Sequence, residues 1–426
     1  MKTTIQGVKG ARDFYPEDMA SRQWLYRAIR EVSESFGYQE WDGPFLERID
    51  LYAAKSGEEL VNKQSFVFND RGGQPITLRP ELTPSLARMV AQRQSALVYP
   101  LRWWSFGPFW RYEQPQEGRS REFFQWNIDM IGVDTPESDA ELIAICAEFF
   151  KRLGLNPQKV QIYVNDRRLT NQSLAELGVP EDVRPKALHL IDRRDKLSPE
   201  AWEAYALEIG LSTAQLEGLK VVLADENLWK QSEALTRIFK TLESLGVREY
   251  VSYSAYIIRG LDYYTAVVFE AFDIDGGRSI LGGGHYDNLV AAVGGDQLPA
   301  VGFAMGDMMI TILLKKYGLL PEQATLAEAV LVTVFDEDCM AASYAMAAEL
   351  RKAGLKVVCY PEVVKLSKQL KYADRVGIRT AVIIGPDEEA KHQVVVKDLA
   401  ARTQETVSWM EAADILKQML AKAKSV

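Results

Sequence analysis

Phe109-Trp-Arg-Tyr-Glu-Gln-Pro-Gln-Glu-Gly-Arg-Ser-Arg-Glu-Phe-Phe-Gln125 reads as a strand, a polar Pro/Gly loop and a second strand, the order of a long-looped hairpin. Such a hairpin lets Arg111 and Arg121 meet across it. A second arginine-bearing segment, Arg259-Gly-Leu-Asp-Tyr-Tyr264, also reads as a strand bordered by fixed positive charge. Guanidinium matches phosphate and carboxylate because its planar fork makes two parallel charge-assisted hydrogen bonds. Two such segments point to an enzyme that handles nucleotide phosphates beside a small polar substrate. The plainer reading is surface salt bridging, where most arginines are spent.

Outward from the hairpin, residues 19–37 suit an amphipathic helix, and Tyr38-Gln-Glu-Trp-Asp-Gly-Pro-Phe-Leu-Glu47 reads as extended chain with a Gly-Pro bend. Residues 66–79 predict a hairpin turning at Asp70-Arg-Gly-Gly-Gln-Pro75, with a helix from about Thr83 and another over 137–153. The stretch from about 170 to 250 has helical period throughout and predicts a helical subdomain inserted into a strand-rich region. Tyr263-Tyr-Thr-Ala-Val-Val-Phe-Glu270 and Ser279-Ile-Leu-Gly-Gly-Gly-His-Tyr286 then form a strand pair. The glycines of 281–295 allow close backbone approach to a ligand, but they fit neither a P-loop nor a dinucleotide fingerprint. From residue 328 apolar strands (Val330-Leu-Val-Thr-Val-Phe335, Lys356-Val-Val-Cys-Tyr360, Ala381-Val-Ile-Ile384) alternate with helices, predicting a small α/β domain with a largely parallel sheet. Leu319-Leu-Pro-Glu-Gln-Ala324 is the expected linker.

Composition excludes several classes. At 426 residues, 47% hydrophobic and 26% charged, the chain is expected to be a soluble protein of two or three domains. No apolar run reaches the ~18 residues of a membrane span and the start carries no hydrophobic signal region, so the cytosol is the expected compartment. Cys146, Cys339 and Cys359 lack metal spacing and read as reduced thiols. His189, His285 and His392 are too scattered to suggest a zinc site or a triad. A net charge of −9 argues against a protein that coats nucleic acid. A localised contact is still open: Lys365, Lys368, Lys371, Arg375 and Arg379 face one acid, Asp374. Either a solvated helix face or a surface for phosphates fits that cluster.

Arg259-Gly-Leu-Asp-Tyr-Tyr264 with Val268-Phe-Glu270, and Gly282-Gly-Gly-His-Tyr-Asp287, resemble the pair of histidine-specific motifs of the histidyl-tRNA synthetase family, within the class II aminoacyl-tRNA synthetases. Leu78-Arg-Pro-Glu-Leu-Thr83 is similar to that family's amino-acid loop and Phe109 to Gln125 to class motif 2. Pro44-Phe-Leu-Glu47 sits where the dimer-forming motif 1 is expected, and Gln369-Leu-Lys-Tyr-Ala-Asp-Arg-Val-Gly-Ile-Arg379 with Val382-Ile-Ile-Gly385 resembles the anticodon-binding domain. The resemblance implies an α+β catalytic domain over 1–325, on a mixed, mainly antiparallel sheet with the helical insertion, and a C-terminal α/β anticodon-binding domain over 326–426. It implies a cytoplasmic homodimer, with no membrane association, that joins L-histidine to tRNA(His) through a histidyl-adenylate, using ATP and Mg²⁺.

By the same resemblance Arg111 and Arg259 are the catalytic pair, both touching the α-phosphate, with Arg111 also on the substrate carboxylate. Glu113 and Arg121 would complete the ATP site, and no residue is identified as a metal ligand. Histidine would be held by Glu81, Leu82, Thr83, Arg111, Gln125, Asp129, Arg259, Tyr263 and Tyr264, with Asp129 and the tyrosines reading the imidazole. Asp129 lies in an otherwise apolar stretch, Trp126-Asn-Ile-Asp-Met-Ile131, so it needs a partner or a ligand. Glu81 has a plainer role open to it, capping the helix that follows. One departure from the family pattern is Met309, which stands where the arginine of motif 3 is expected in Gly302-Phe-Ala-Met-Gly-Asp-Met-Met309. Gln114 and Glu117 stand where basic residues are common in the motif 2 loop. The alternative is a histidine-sensing regulatory paralogue of ATP phosphoribosyltransferase, which the complete C-terminal domain disfavours.

Overall fold

β-Branched and aromatic residues crowd the segments that form the main sheet, where they fit a pleated, half-buried surface. In the computed structural model, which describes residues 4–53, 60–259, 263–321 and 326–422, the strands run in chain order. They are β1 (Gln39–Glu40), β2 (Leu46–Arg48), β3 (Phe66–Asn69), β4 (Pro75–Leu78), β5 (Leu101–Trp110), β6 (Glu122–Ile131), β7 (Val160–Asp166), β8 (Val251–Tyr253), β9 (Val267–Asp273), β10 (Leu281–Tyr286) and β11 (Ala300–Gly306). Eight of these make one sheet in the order β1-β5-β6-β11-β10-β9-β7-β8. The run from β5 to β7 is antiparallel, and the two edge pairs β1/β5 and β7/β8 are parallel. The sheet is thus mixed and mainly antiparallel.

One face of this sheet is sealed by apolar contact. Trp126, Ile128 and Met130 of β6 and Phe303 and Met305 of β11 share a core with Leu142, Ile145, Phe149 and Phe150 of helix Pro136–Arg152. The same core receives Leu235, Ile238, Phe239 and Leu242 of helix Glu233–Ser244. The helical stretch is therefore of two kinds. Its first part builds a separate core around Leu174, Leu190, Trp202 and Leu219, closed by Ala255 and Ile258, while its last helix returns to the sheet. Periodicity cannot separate the two, because a helix shows the same apolar stripe whichever core takes it. With one face covered, side chains at alternate positions on the other are left to form a site.

The smaller hairpin forms as expected: β3 pairs with β4, and β2 joins β4 on its other side. Asp70 closes its turn, the carboxylate accepting from the Gly72 and Gln74 N–H groups at 2.8 Å each, with Gly73 at φ 81°.

By contacts the chain divides into Met1–Asp13 with Gln23–Leu320, and Phe14–Arg22 with Pro321–Val426. The expected linker falls at this division, and its residues 322–324 lie outside the described residues. The second unit has a sheet of Lys356–Cys359, Ala329–Val332, Thr380–Ile383, Gln393–Asp398 and Thr403–Ser408, in that order. The first three strands are parallel; the last two are an antiparallel hairpin. The largely parallel sheet expected from sequence is therefore half antiparallel. Thr403-Gln-Glu-Thr-Val-Ser408 is mostly exposed and polar, as an edge strand can be, and so gave no apolar signal. Lys365, Lys368, Lys371, Arg375 and Arg379 are all exposed on or beside helix Leu366–Arg375. Among the described residues no helix is long and apolar enough to cross a membrane.

Candidate active site

Arg111 directly follows β5, and its N–H donates to the Arg121 carbonyl at 2.9 Å, so the two arginines do meet across the hairpin. Their guanidiniums part company. Arg111 Nε donates to the Pro80 carbonyl at 2.9 Å, leaving the terminal nitrogens for a ligand. Arg121 lies over the Tyr112 ring, 4.2 Å from its centroid, with Nε on the Glu113 carbonyl. The Gly10 carbonyl accepts from the Arg121 and Glu122 N–H groups, which fixes the strand start. A cavity of about 310 Å³ opens beside the hairpin, and Arg111, Glu113, Phe123, Gln125 and Arg259 line it. Arg119 lines it too and Arg121 does not; Arg119 reaches Glu113 at 3.3 Å.

Arg79 anchors the loop that carries Glu81, Leu82 and Thr83. It is fully buried, stacked between the rings of Phe45 and Phe109 at 4.6 and 4.8 Å. Its fork donates to Asp42 Oδ1 at 2.6 Å, to the Gly43 carbonyl at 2.9 Å and to the Pro108 carbonyl at 2.9 Å. Gly107 leaves the room: a Cβ there would lie 2.4 Å from Arg79 Nη2. Helix Thr83–Arg93 starts with Leu82 at its cap position, so the cap falls one residue after Glu81. Thr83 is half-buried and Leu82 is 1% exposed.

Arg259 is the other wall. Its backbone adopts φ 57°, a left-handed conformation rare outside glycine, and its Nη1 donates to Glu270 at 3.0 Å. The Nη1 end of the guanidinium sits over β10, where a Cβ at Gly282 would fall 1.2 Å from it. Gly282 is therefore what admits the arginine. Gly260, Leu261 and Asp262 of the quoted motif lie outside the described residues.

Deeper on the same face of β6 and β10 sits Asp129, 6% exposed, in phase with Gln125. It accepts from the Tyr286 hydroxyl at 2.7 Å. Burial pushes its carboxyl up to about 7, against the lowering effect of that hydrogen bond. Gly302 on β11 gives it space, since a Cβ there would fall 2.0 Å from Asp129 Oδ1. The Tyr263 and Tyr264 rings stand 4.6 Å apart, Tyr263 meets Tyr286 edge-on at 6.0 Å, and the Arg259 guanidinium lies 5.6 Å from the Tyr264 ring centre. Tyr286 was missed at the level of single residues. The signal was there: it follows Gly282 and Gly284 at the spacing that keeps a strand on one face.

Met309 and Met308 line the cavity at the start of helix Asp307–Lys316. Met309 packs on the hairpin loop, its Sδ 2.4 Å from where a Cβ of Gly118 would stand, with the Arg278 stem close to the same point. Asp307, beside it, is held by Arg12 Nη2 at 2.8 and 3.1 Å and by the Phe124 N–H at 3.0 Å. Among the described residues no cluster of three His, Cys, Asp or Glu side chains is arranged to hold a metal ion.

The chain is similar to known proteins over nearly its full length. The family model for histidyl-tRNA synthetase matches residues 10–309, and that for an anticodon binding domain matches 328–419. The chain is 39% identical over 414 residues to the histidine–tRNA ligase, chloroplastic/mitochondrial, of Arabidopsis thaliana, covering 95% of this chain and 85% of that relative. It is 37% identical over 435 residues to the histidine–tRNA ligase of Pyrococcus horikoshii, covering 98% and 99%. The crystal structure of histidyl-tRNA synthetase from Nostoc sp. PCC 7120 superimposes with a TM-score of 0.84 at 25% identity, covering 98% of this chain and 100% of that one. A sheet that brings two arginines to one cavity beside a buried aspartate, matched over nearly its full length, belongs to a member of the histidyl-tRNA synthetase family, the class II ligases of histidine and tRNA.

Proposed function

We propose that ligation of histidine to tRNA(His) proceeds here in two steps that share the cavity between Arg111 and Arg259, with ATP as the activating substrate. The observation that carries this reading is the convergence of those two guanidiniums from separate segments on one cavity. In the first step the histidine carboxylate attacks the α-phosphate and pyrophosphate leaves. Negative charge builds on the phosphorus oxygens, and fixed cations stabilise it with no reorganisation at the moment of reaction. Arg111, tethered through Nε to Pro80, presents its terminal nitrogens to the carboxylate and α-phosphate. Arg259, seated on Gly282, faces the α-phosphate from the other side.

Glu113 holds the adenine, with Arg121 directed to the terminal phosphates and Arg119 as a further cation at the same wall. Mg²⁺ enters as the ATP complex, on the outgoing pyrophosphate. Glu81, Thr83 and Gln125 receive the ammonium group, with Leu82 packing behind them. Asp129 and Tyr264, with Tyr263 beside them, read the imidazole. Tyr286 joins this set as the group that orients Asp129. In the second step the tRNA acceptor end takes the histidyl group, while the exposed basic residues from Lys365 to Arg379 meet the anticodon. The working form is a homodimer in the cytoplasm, formed through the segment around Pro44–Glu47.

The test is histidine-dependent exchange of pyrophosphate into ATP by the purified protein. Exchange is expected with the native chain, and Arg259→Ala should lower it by roughly 10²–10³, the usual effect of removing one preorganised donor, with circular dichroism unchanged. No exchange by a protein that binds histidine normally would instead favour the histidine-sensing regulatory reading.

A further inference from the structure

β10 has a second face. Gly282, Gly284 and Tyr286 point to the site, whereas Leu281 and Gly283 meet the sealed core, and His285 follows them. His285 is 2% exposed. Its Nδ1 is 3.0 Å from Asp139 Oδ1, on helix Pro136–Arg152. Its Nε2 has no hydrogen bond but faces two more carboxylates, Asp287 at 3.3 Å and Asp134 at 3.5 Å. A cavity of about 360 Å³ adjoins this cluster, lined also by Asp166 and Arg168. Arg168 is already bound by Asp166, at 3.0 and 3.1 Å. His285 thus lies within ion-pair distance of Asp139, Asp134 and Asp287 together, and Arg168 adds a longer-range positive charge toward Asp139 and Asp134.

The backbone of the same residue touches the histidine pocket. Its carbonyl accepts the Thr265 N–H at 2.9 Å, directly after Tyr263 and Tyr264. The next residue is Tyr286, which orients Asp129. A Cβ at Gly284 would fall 2.8 Å from the Tyr264 ring, so strand and tyrosine are in contact.

We propose that His285 is a positioning residue for histidine recognition: as a cation it clamps β10 to Asp139, Asp134 and Asp287, and so fixes Tyr286 with Asp129 on one side and the Tyr263–Tyr264 turn on the other. This rests on the reading of Asp129 and Tyr264 as the imidazole-binding groups. Burial lowers the basicity of His285, but the Asp139 hydrogen bond and the charges of Asp139, Asp287 and Asp134 outweigh it, and the pKa lies above the usual histidine value. A raised histidine pKa means that the clamp is complete below the ordinary value and is lost as pH rises through the raised one.

The experiment compares full-length wild type, His285→Gln and His285→Arg, following KM for histidine, KM for ATP and kcat of exchange from about pH 7 to about pH 9. His285→Gln should raise the histidine KM by about tenfold and leave the ATP KM within about twofold. In the wild type the histidine KM should rise toward alkaline pH. His285→Arg, whose charge is permanent, should restore the low KM and flatten that rise. Substrate imidazole and Asp129 titrate in all three proteins, so the difference between profiles isolates position 285. Parallel loss for ATP and histidine, or superimposable wild-type and His285→Arg profiles, would overturn the proposal. If His285→Gln does not fold, the wild-type and arginine profiles decide alone. Asp129→Asn, run beside them, separates the two failures: an unchanged histidine KM there sinks the pocket assignment itself.

Discussion

Met309 shows how a single side chain can depart from a pattern without emptying its place. Its thioether is flexible and polarisable, fills the room of an arginine stem and can lie against a flat ring, while it leaves one positive charge out of the cavity. Arg119 and Arg278 stand near enough to that wall to bring charge of their own. We expect Met309→Arg to tighten ATP by about tenfold, equivalent to about 1.4 kcal/mol, with kcat retained, as read from the ATP KM in pyrophosphate exchange. Loss of activity would mean that the loop around Gly118 has repacked on the apolar side chain. At this scale the sequence was legible where chemistry fixes a residue type, as at Arg111, Arg259 and Asp129. It was less so where alternation or stacking decides direction. Arg121 and Arg119 share a phase, yet Arg119 lines the cavity while the Arg121 guanidinium rests on the Tyr112 ring and the Glu113 carbonyl.

Among elements, the joint at Arg79 connects the extended segment 42–45, the start of the loop that carries Glu81, Leu82 and Thr83, and the end of β5. Replacing Arg79 by methionine keeps most of the volume and strands the Gly43 and Pro108 carbonyls, each worth about 1–3 kcal/mol when left unsatisfied. Asp42 is half exposed and rehydrates. Arg79→Met should therefore cost about 2–6 kcal/mol in urea unfolding and raise KM for both substrates. An unchanged midpoint would show that the joint is redundant. The hairpins were readable because turn residues such as Asp70 and Gly73 act locally. The fate of helix Glu233–Ser244 was not, since its stripe of Leu235, Ile238, Phe239 and Leu242 names no partner.

For the molecule as a whole, the division at Leu320 separates a unit with the cavity from one with the exposed basic face. A chain ending at Leu320 should keep histidine-dependent exchange and lose most aminoacylation of tRNA(His), measured side by side. Full charging by the shortened chain would remove the anticodon-binding role from the second unit. The two-part plan was legible from the change of pattern near residue 328, because the second sheet starts there with a run of buried aliphatics, Val330, Leu331 and Val332. Its antiparallel edge was hidden by its own polarity. The left-handed backbone of Arg259 belongs to this scale as well. A non-glycine residue held there costs on the order of 1–3 kcal/mol, a noticeable share of the roughly 5–15 kcal/mol that keeps a domain folded. Selection for folding alone would favour glycine at this position. If Arg259 has the role proposed for it, a lineage that abandoned histidine activation would gain stability by that one exchange, and residue 259 would serve as a gauge of whether a related chain still works as a ligase.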